Sequence, residues 1–118
     1  MTKARIVIAE TIAETGLDRL RAAGFEVDIQ VDKTPQQLQA ILPGARALIV
    51  RSATMVDAQM LEAGRDLMVV ARAGVGLDNI DVEAATQQGV MVVNAPQSNV
   101  LSAAEHTMAL ILSIARNV

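Results

Sequence analysis

Two arginines, a serine and two asparagines each stand at or just past the end of a short apolar run, where a chain presents polar groups to a ligand. Arg51 and Ser52 follow the run 45–50, Arg72 follows 67–71, and Asn94 and Asn99 follow 90–93. Arginine carries a planar fork of donors that matches a carboxylate or a phosphate. Helix N-termini close to such residues add partial positive charge. Beyond Arg72, Gly74 and Gly76 flank Val75 and free the backbone to approach a ligand closely. The chemistry this suggests is capture of a small anion, a phosphorylated or carboxylated metabolite. The same residues also admit a plainer account, in which Arg51 and Arg72 are surface cations paired with Glu10 or Asp78.

Other chemistries fit less well. Gly74-Val75-Gly76 resembles the start of a dinucleotide fingerprint, but the third glycine position holds Asn79. The position for the ribose-binding acid lies near Pro96, and the motif follows the fourth strand rather than the first. His106 is the only histidine and has no obvious nucleophile nearby, so it reads as a helix-surface residue. With no cysteine, disulfides, thiol nucleophiles and thiolate metal sites are excluded. No catalytic and no metal-ligating residue is assigned. A receiver-type phosphoacceptor would need an aspartate where Arg51 stands. A flavin site would need flanking aromatics, and Phe25 is the one aromatic residue.

The elements that must position these groups alternate regularly. Strands are expected at 5–9, 25–31, 45–50, 67–71 and 90–93, the second with a period-two polar face that suits a sheet edge. Between them fall helices at 11–23, closed by Gly24, and at 35–42, with Thr34 as N-cap and Pro35 at the first helical position. Two more run from an Asp57 cap to about 63 and from an Asp81 cap to 88, where Gly89 stops the chain. The longest helical pattern runs from about 98 to 117. Such alternation predicts an α/β fold with a parallel sheet and helices on both faces, in the flavodoxin-like order 2-1-3-4-5. In such sheets ligands bind outside the carboxyl ends of the strands. That rule selects five loops: 10–11, the turn after Val31, 51–52, 72–76 and 94–99.

The 118 residues suffice for one domain with a usable core. Half are hydrophobic, so with a single aromatic the core must be built from Val, Ile, Leu, Ala and Met. A net charge of −3 without a basic run argues against nucleic acid as a partner. There is no signal-peptide pattern, and no apolar run approaches the roughly 20 residues of a membrane span. A cytoplasmic protein is the expectation.

Three stretches carry a more specific resemblance. Leu-Ile-Val-Arg-Ser-Ala-Thr (48–54), Val-Ala-Arg-Ala-Gly-Val-Gly-Leu-Asp-Asn-Ile-Asp (70–81) and Val-Asn-Ala-Pro-Gln-Ser-Asn-Val-Leu-Ser-Ala-Ala-Glu-His (93–106) resemble the D-3-phosphoglycerate dehydrogenases. These are NAD-dependent D-2-hydroxyacid dehydrogenases that open serine biosynthesis. The resemblance implies a flavodoxin-like substrate-binding domain over 1–97, followed by an interdomain-type helix over 98–118. By motif position it implies that Arg51, Ser52 and Asn99 contact the phosphate and carboxylate of 3-phosphoglycerate. Arg72, Gly74 and Val75 would lie in the cleft, with Val75 weakly placed toward the nicotinamide. The family's glycine fingerprint, its catalytic histidine–glutamate pair and a further arginine fall outside these motifs, and His106 does not match the catalytic histidine.

The expected function is therefore that of a truncated substrate-binding domain, inactive alone and binding no NAD by itself. In the complete enzyme a hydride would pass from C2 of 3-phosphoglycerate to NAD. The competing expectation is a stand-alone flavodoxin-like binding or scaffold module of shared ancestry. In the 98–117 pattern, apolar residues at 101, 104, 108, 110–112, 114 and 115 cover far more than the stripe of about 100° that packs on one sheet. Homodimerisation through this helix is the expected consequence.

Overall fold

The computed structural model describes residues 4–73 and 77–95. Over these, strands β1 (Arg5–Ile8), β2 (Glu26–Ile29), β3 (Ala47–Val50), β4 (Val69–Ala73) and β5 (Met91–Ala95) alternate with helices α1 (Glu14–Ala22), α2 (Pro35–Ile41), α3 (Ala58–Ala63) and α4 (Val82–Gln88). The sheet order is β2-β1-β3-β4-β5, every pair parallel, as the alternation predicts. The 98–117 helix, and the dimer expected to form through it, lie outside the described residues.

Period-two alternation divides the apolar side chains between two cores. Val7, Leu48, Val50 and Val70 pack with Leu38 of α2, Met60 and Leu61 of α3 and Ala85 of α4. Ile6, Ile8, Ile49, Val69 and Ala71 face the other way, onto Leu17 and Leu20 of α1 and Phe25. Every residue of β3 and β4 is buried, as expected for inner strands covered on both faces. The polar second strand does lie at the edge. There Asp28 accepts a 2.7 Å hydrogen bond from Arg5 of β1, whose guanidinium also donates to the carbonyls of Ile41 and Pro43.

The helix starts follow local capping chemistry. Thr34 and Gln37 form a reciprocal capping box. The Asp57 and Asp81 carboxylates accept from the backbone N–H groups of Met60 and Ala84. Gly89, at φ +80°, supplies the left-handed residue that ends α4. α1 begins at Glu14 rather than at 11, and its N-cap, Ala13, offers no side-chain acceptor.

β1 and β2 end earlier than expected, at Ile8 and Ile29, and two strands end later. β4 does not stop before Arg72 but runs through it to Ala73, with Arg72 paired to Val50 on one side and Asn94 on the other. β5 correspondingly extends through Asn94 to Ala95. The first charged residue marks the end of an apolar run, not of a strand. Backbone pairing on both sides continues through Arg72, whose side chain has a partner in Asp78.

Candidate anion-binding site

The carboxyl edge of the sheet is built from three loops tied to one another. Glu10, two residues past the end of β1, turns its carboxylate onto the loop 51–54. One oxygen accepts from the backbone N–H of Arg51 at 2.5 Å and of Thr54 at 3.1 Å; the other accepts from Ala53 at 3.1 Å. From the opposite side the Asn79 amide donates to the carbonyls of Arg51 and Thr54, both at 2.7 Å. Val56 then donates to the Asn79 carbonyl at 2.8 Å and accepts from Asp81 at 2.9 Å, pairing the chain after β3 with the chain after β4.

This clamp has a chemical consequence. Three of the loop's backbone donors are committed to Glu10, so an incoming anion must be held chiefly by side chains. Ser52 is exposed, and Arg51 is half-buried, with Nη1 donating to the Thr11 carbonyl at 3.3 Å.

Arg72 sits on the adjacent strand, opposite the residue just before Arg51. Its side chain is only 9% exposed, yet its partner Asp78 is 91% exposed, and Nη1 and Oδ1 stand 2.8 Å apart. The hydrogen bond from Arg72, then Asp78's own backbone N–H and the Arg72 charge, hold the Asp78 carboxyl below its ordinary range. Among the described residues, the buried Arg72 Nε has no hydrogen-bond partner. The expected pairing of Arg72 with Asp78 is thus present, but as a buried cation with an exposed anion rather than a surface pair. Glu10 meets the Arg51 backbone, a contact the surface-pair account does not include.

A cavity of about 380 Å³ opens where the sheet order reverses between β1 and β3, lined by Glu10, Thr11, Asp32, Lys33, Arg51 and Met55 among others. It draws together three of the five loops selected from the sequence: 10–11, the turn after Val31, and the loop after β3. Gly74, Val75 and Asn99 lie outside the described residues. Spacing did not single out Asn79 or Lys33, and it placed Glu10 as a counterion of Arg51 rather than as the acceptor for that loop's backbone. The signals available were a carboxylate placed immediately after the first strand and a polar residue beside Ile80 in a turn.

The described residues do not fit a dinucleotide. The turn after β1 contains no glycine, and the nearest array of backbone donors, in 51–54, is already occupied by Glu10.

Comparison with known proteins fits this geometry. The family profile described as D-isomer specific 2-hydroxyacid dehydrogenase, catalytic domain, matches residues 6–113. The chain is 44% identical to D-3-phosphoglycerate dehydrogenase of Archaeoglobus fulgidus, over 97% of the chain and 22% of that protein. It is 50% identical to the enzyme of the same name from Mycobacterium leprae, over 96% of the chain and 21% of that protein. The chain therefore spans about a fifth of the length of these relatives. Among solved structures, NAD+-bound 3-phosphoglycerate dehydrogenase of Entamoeba histolytica superposes with a TM-score of 0.72 at 30% identity, covering 80% of this chain and 33% of that one. A Thermus thermophilus protein superposes with a TM-score of 0.73 at 32% identity, over 96% of this chain and 37% of the other. The fold, the arginine-bearing strand ends and these matches agree: the chain belongs to the D-isomer specific 2-hydroxyacid dehydrogenase family.

Proposed function

We propose that this chain supplies the anion-recognising half of the substrate cleft of a D-3-phosphoglycerate dehydrogenase, in which NAD accepts a hydride from C2 of 3-phosphoglycerate. The observation that carries this is the buried guanidinium of Arg72, incompletely satisfied among the described residues, on the strand next to the one that Arg51 follows. Together with Ser52 they offer donors to a phosphate or a carboxylate. Asn99, Gly74 and Val75 complete the proposed contacts by motif position. The hydride-transfer machinery and the NAD site belong to the remainder of the enzyme, so the 118 residues alone bind substrate weakly and do not turn it over.

Millimolar affinity, about −4 kcal/mol, is expected of half a cleft. Titrating 3-phosphoglycerate into the isotopically labelled chain should move the amides of Arg51, Ser52 and Arg72 together. Shifts elsewhere with these three unmoved would place the ligand at another edge. NAD reduction by the chain alone would refute the division of labour. Self-association through 98–118, supported by the apolar circumference of that sequence, is part of the same proposal and is read by sedimentation at micromolar concentration.

A further inference from the structure

The ion pair between Arg72 and Asp78 is lopsided. The cation is fixed in the sheet and nine-tenths buried, whereas the anion stands in solvent six residues further along the chain. A guanidinium carries five N–H donors. Among the described residues this one makes a single hydrogen bond, from Nη1, and its Nε has no partner. Asp78 can leave at little cost, because water already surrounds it; Arg72 cannot follow.

Resting on the reading that Arg72 takes the anionic group of the substrate, we infer that Asp78 is an internal, exchangeable counterion that an incoming anion must displace, and so sets how tightly the site holds any anion. A monocarboxylate brings what Asp78 already provides, one charge and two acceptor oxygens, and must compete with a tethered group at high effective concentration. A phosphate brings nearly two charges and three acceptor oxygens. Because every anion displaces the same group, Asp78 weakens all of them by one common factor, and the dianion, with the stronger intrinsic attraction to Arg72, is the one that still binds. The lowered proton affinity of Asp78 agrees with a carboxylate that is charged, and so competing, throughout the neutral range.

The test uses the full 118-residue chain at constant ionic strength, with sulfate as the dianion and acetate as the monoanion, followed at the Nε–Hε resonance of Arg72. Asp78→Asn keeps a residue that turns accept, and Asp78→Ser gives a second variant without the charge. Both should tighten acetate and sulfate by the same factor of about three to five, the range of an exposed ion pair. The preference for sulfate over acetate should accordingly stay as it is. Glu83→Gln, on the exposed first turn of α4, removes the same formal charge and should leave both affinities unchanged. A resonance that moves with anion while Asp78→Asn leaves both affinities intact, or tightens only one of them, overturns the counterion role and leaves the anion site standing. A resonance that no anion moves, in any variant, overturns both.

Discussion

Asn79 ties the Arg51 loop to the chain after β4, and its replacement tests whether that clamp is as structural as its geometry implies. In Asn79→Ala, two 2.7 Å hydrogen bonds to the Arg51 and Thr54 carbonyls disappear. At about 1 kcal/mol net for each bond the loss is about 2 kcal/mol. Part returns because Asn79 Oδ1, buried and without a partner among the described residues, is removed as well. A net cost of about 1–2 kcal/mol follows, enough to lower the urea midpoint by about 0.5–1 M for a domain of this size. Asn79→Asp keeps the shape but turns an acceptor toward two carbonyl oxygens. It should cost at least about 2 kcal/mol more than the alanine variant at neutral pH. The sign of its pH dependence follows. Burial beside carbonyl dipoles raises the folded-state pKa of the new carboxyl above its unfolded value, so the folded state holds the proton more tightly. The deficit is full above the folded pKa and shrinks as pH falls toward about 3.9. The measurement is urea unfolding followed by far-UV circular dichroism, since the chain has neither Trp nor Tyr. Equal losses for the two variants, or an aspartate variant whose deficit does not change with pH, would refute the assignment of the Asn79 amide as the donor that holds the loop.

Glu10→Ala strands three backbone donors of the 51–54 loop and should cost about 2 kcal/mol, with accelerated amide exchange confined to Arg51, Ala53 and Thr54; unchanged exchange there would contradict the clamp. Gly64→Ala would set a Cβ 2.5 Å from Leu67 Cδ1 and 2.8 Å from its Cγ, so a loss of about 1–3 kcal/mol is expected, smaller when Leu67 is shortened to Val in the same chain. The Asp78 carboxyl should titrate below the usual range by carbon-detected NMR and return to it in Arg72→Met. Because its folded pKa is depressed, the pair's small stabilisation is present above the unfolded pKa and is lost as pH falls through the folded midpoint.

Most of the architecture could be read from local chemistry. Thr34-Pro35, Asp57 and Asp81 start helices where their oxygens meet the first backbone donors, and Gly89 ends one where a left-handed residue is needed. The all-apolar run 47–50 and the alternating run around 26–29 differ because one lies inside the sheet and the other at its edge. The site was legible only in part. Arg51 and Arg72 could be placed at strand ends, but that Arg72 is buried within β4 depends on pairing with β3 and β5, which no local pattern encodes. Asn79 was met only as a missing glycine, because its partners lie 25 and 28 residues away in the chain. Glu10 was read as a possible counterion for Arg51. Its attachment to that loop's backbone arises only when β1 and β3 are neighbours.

The linkage of Glu10, the 51–54 loop and Asn79 also bears on how such a site can be altered by descent or by design. Loops at the mouth of an α/β sheet are commonly treated as interchangeable parts, each grafted independently onto a constant scaffold. Here the loop after β3 is held on one flank by a carboxylate from the first strand's loop and on the other by an amide from the fourth's. Transplanting it alone from a relative that lacks either partner would leave polar groups facing nothing. The three segments therefore form a single unit of exchange, and chimeras should tolerate moving all of them together better than moving any one.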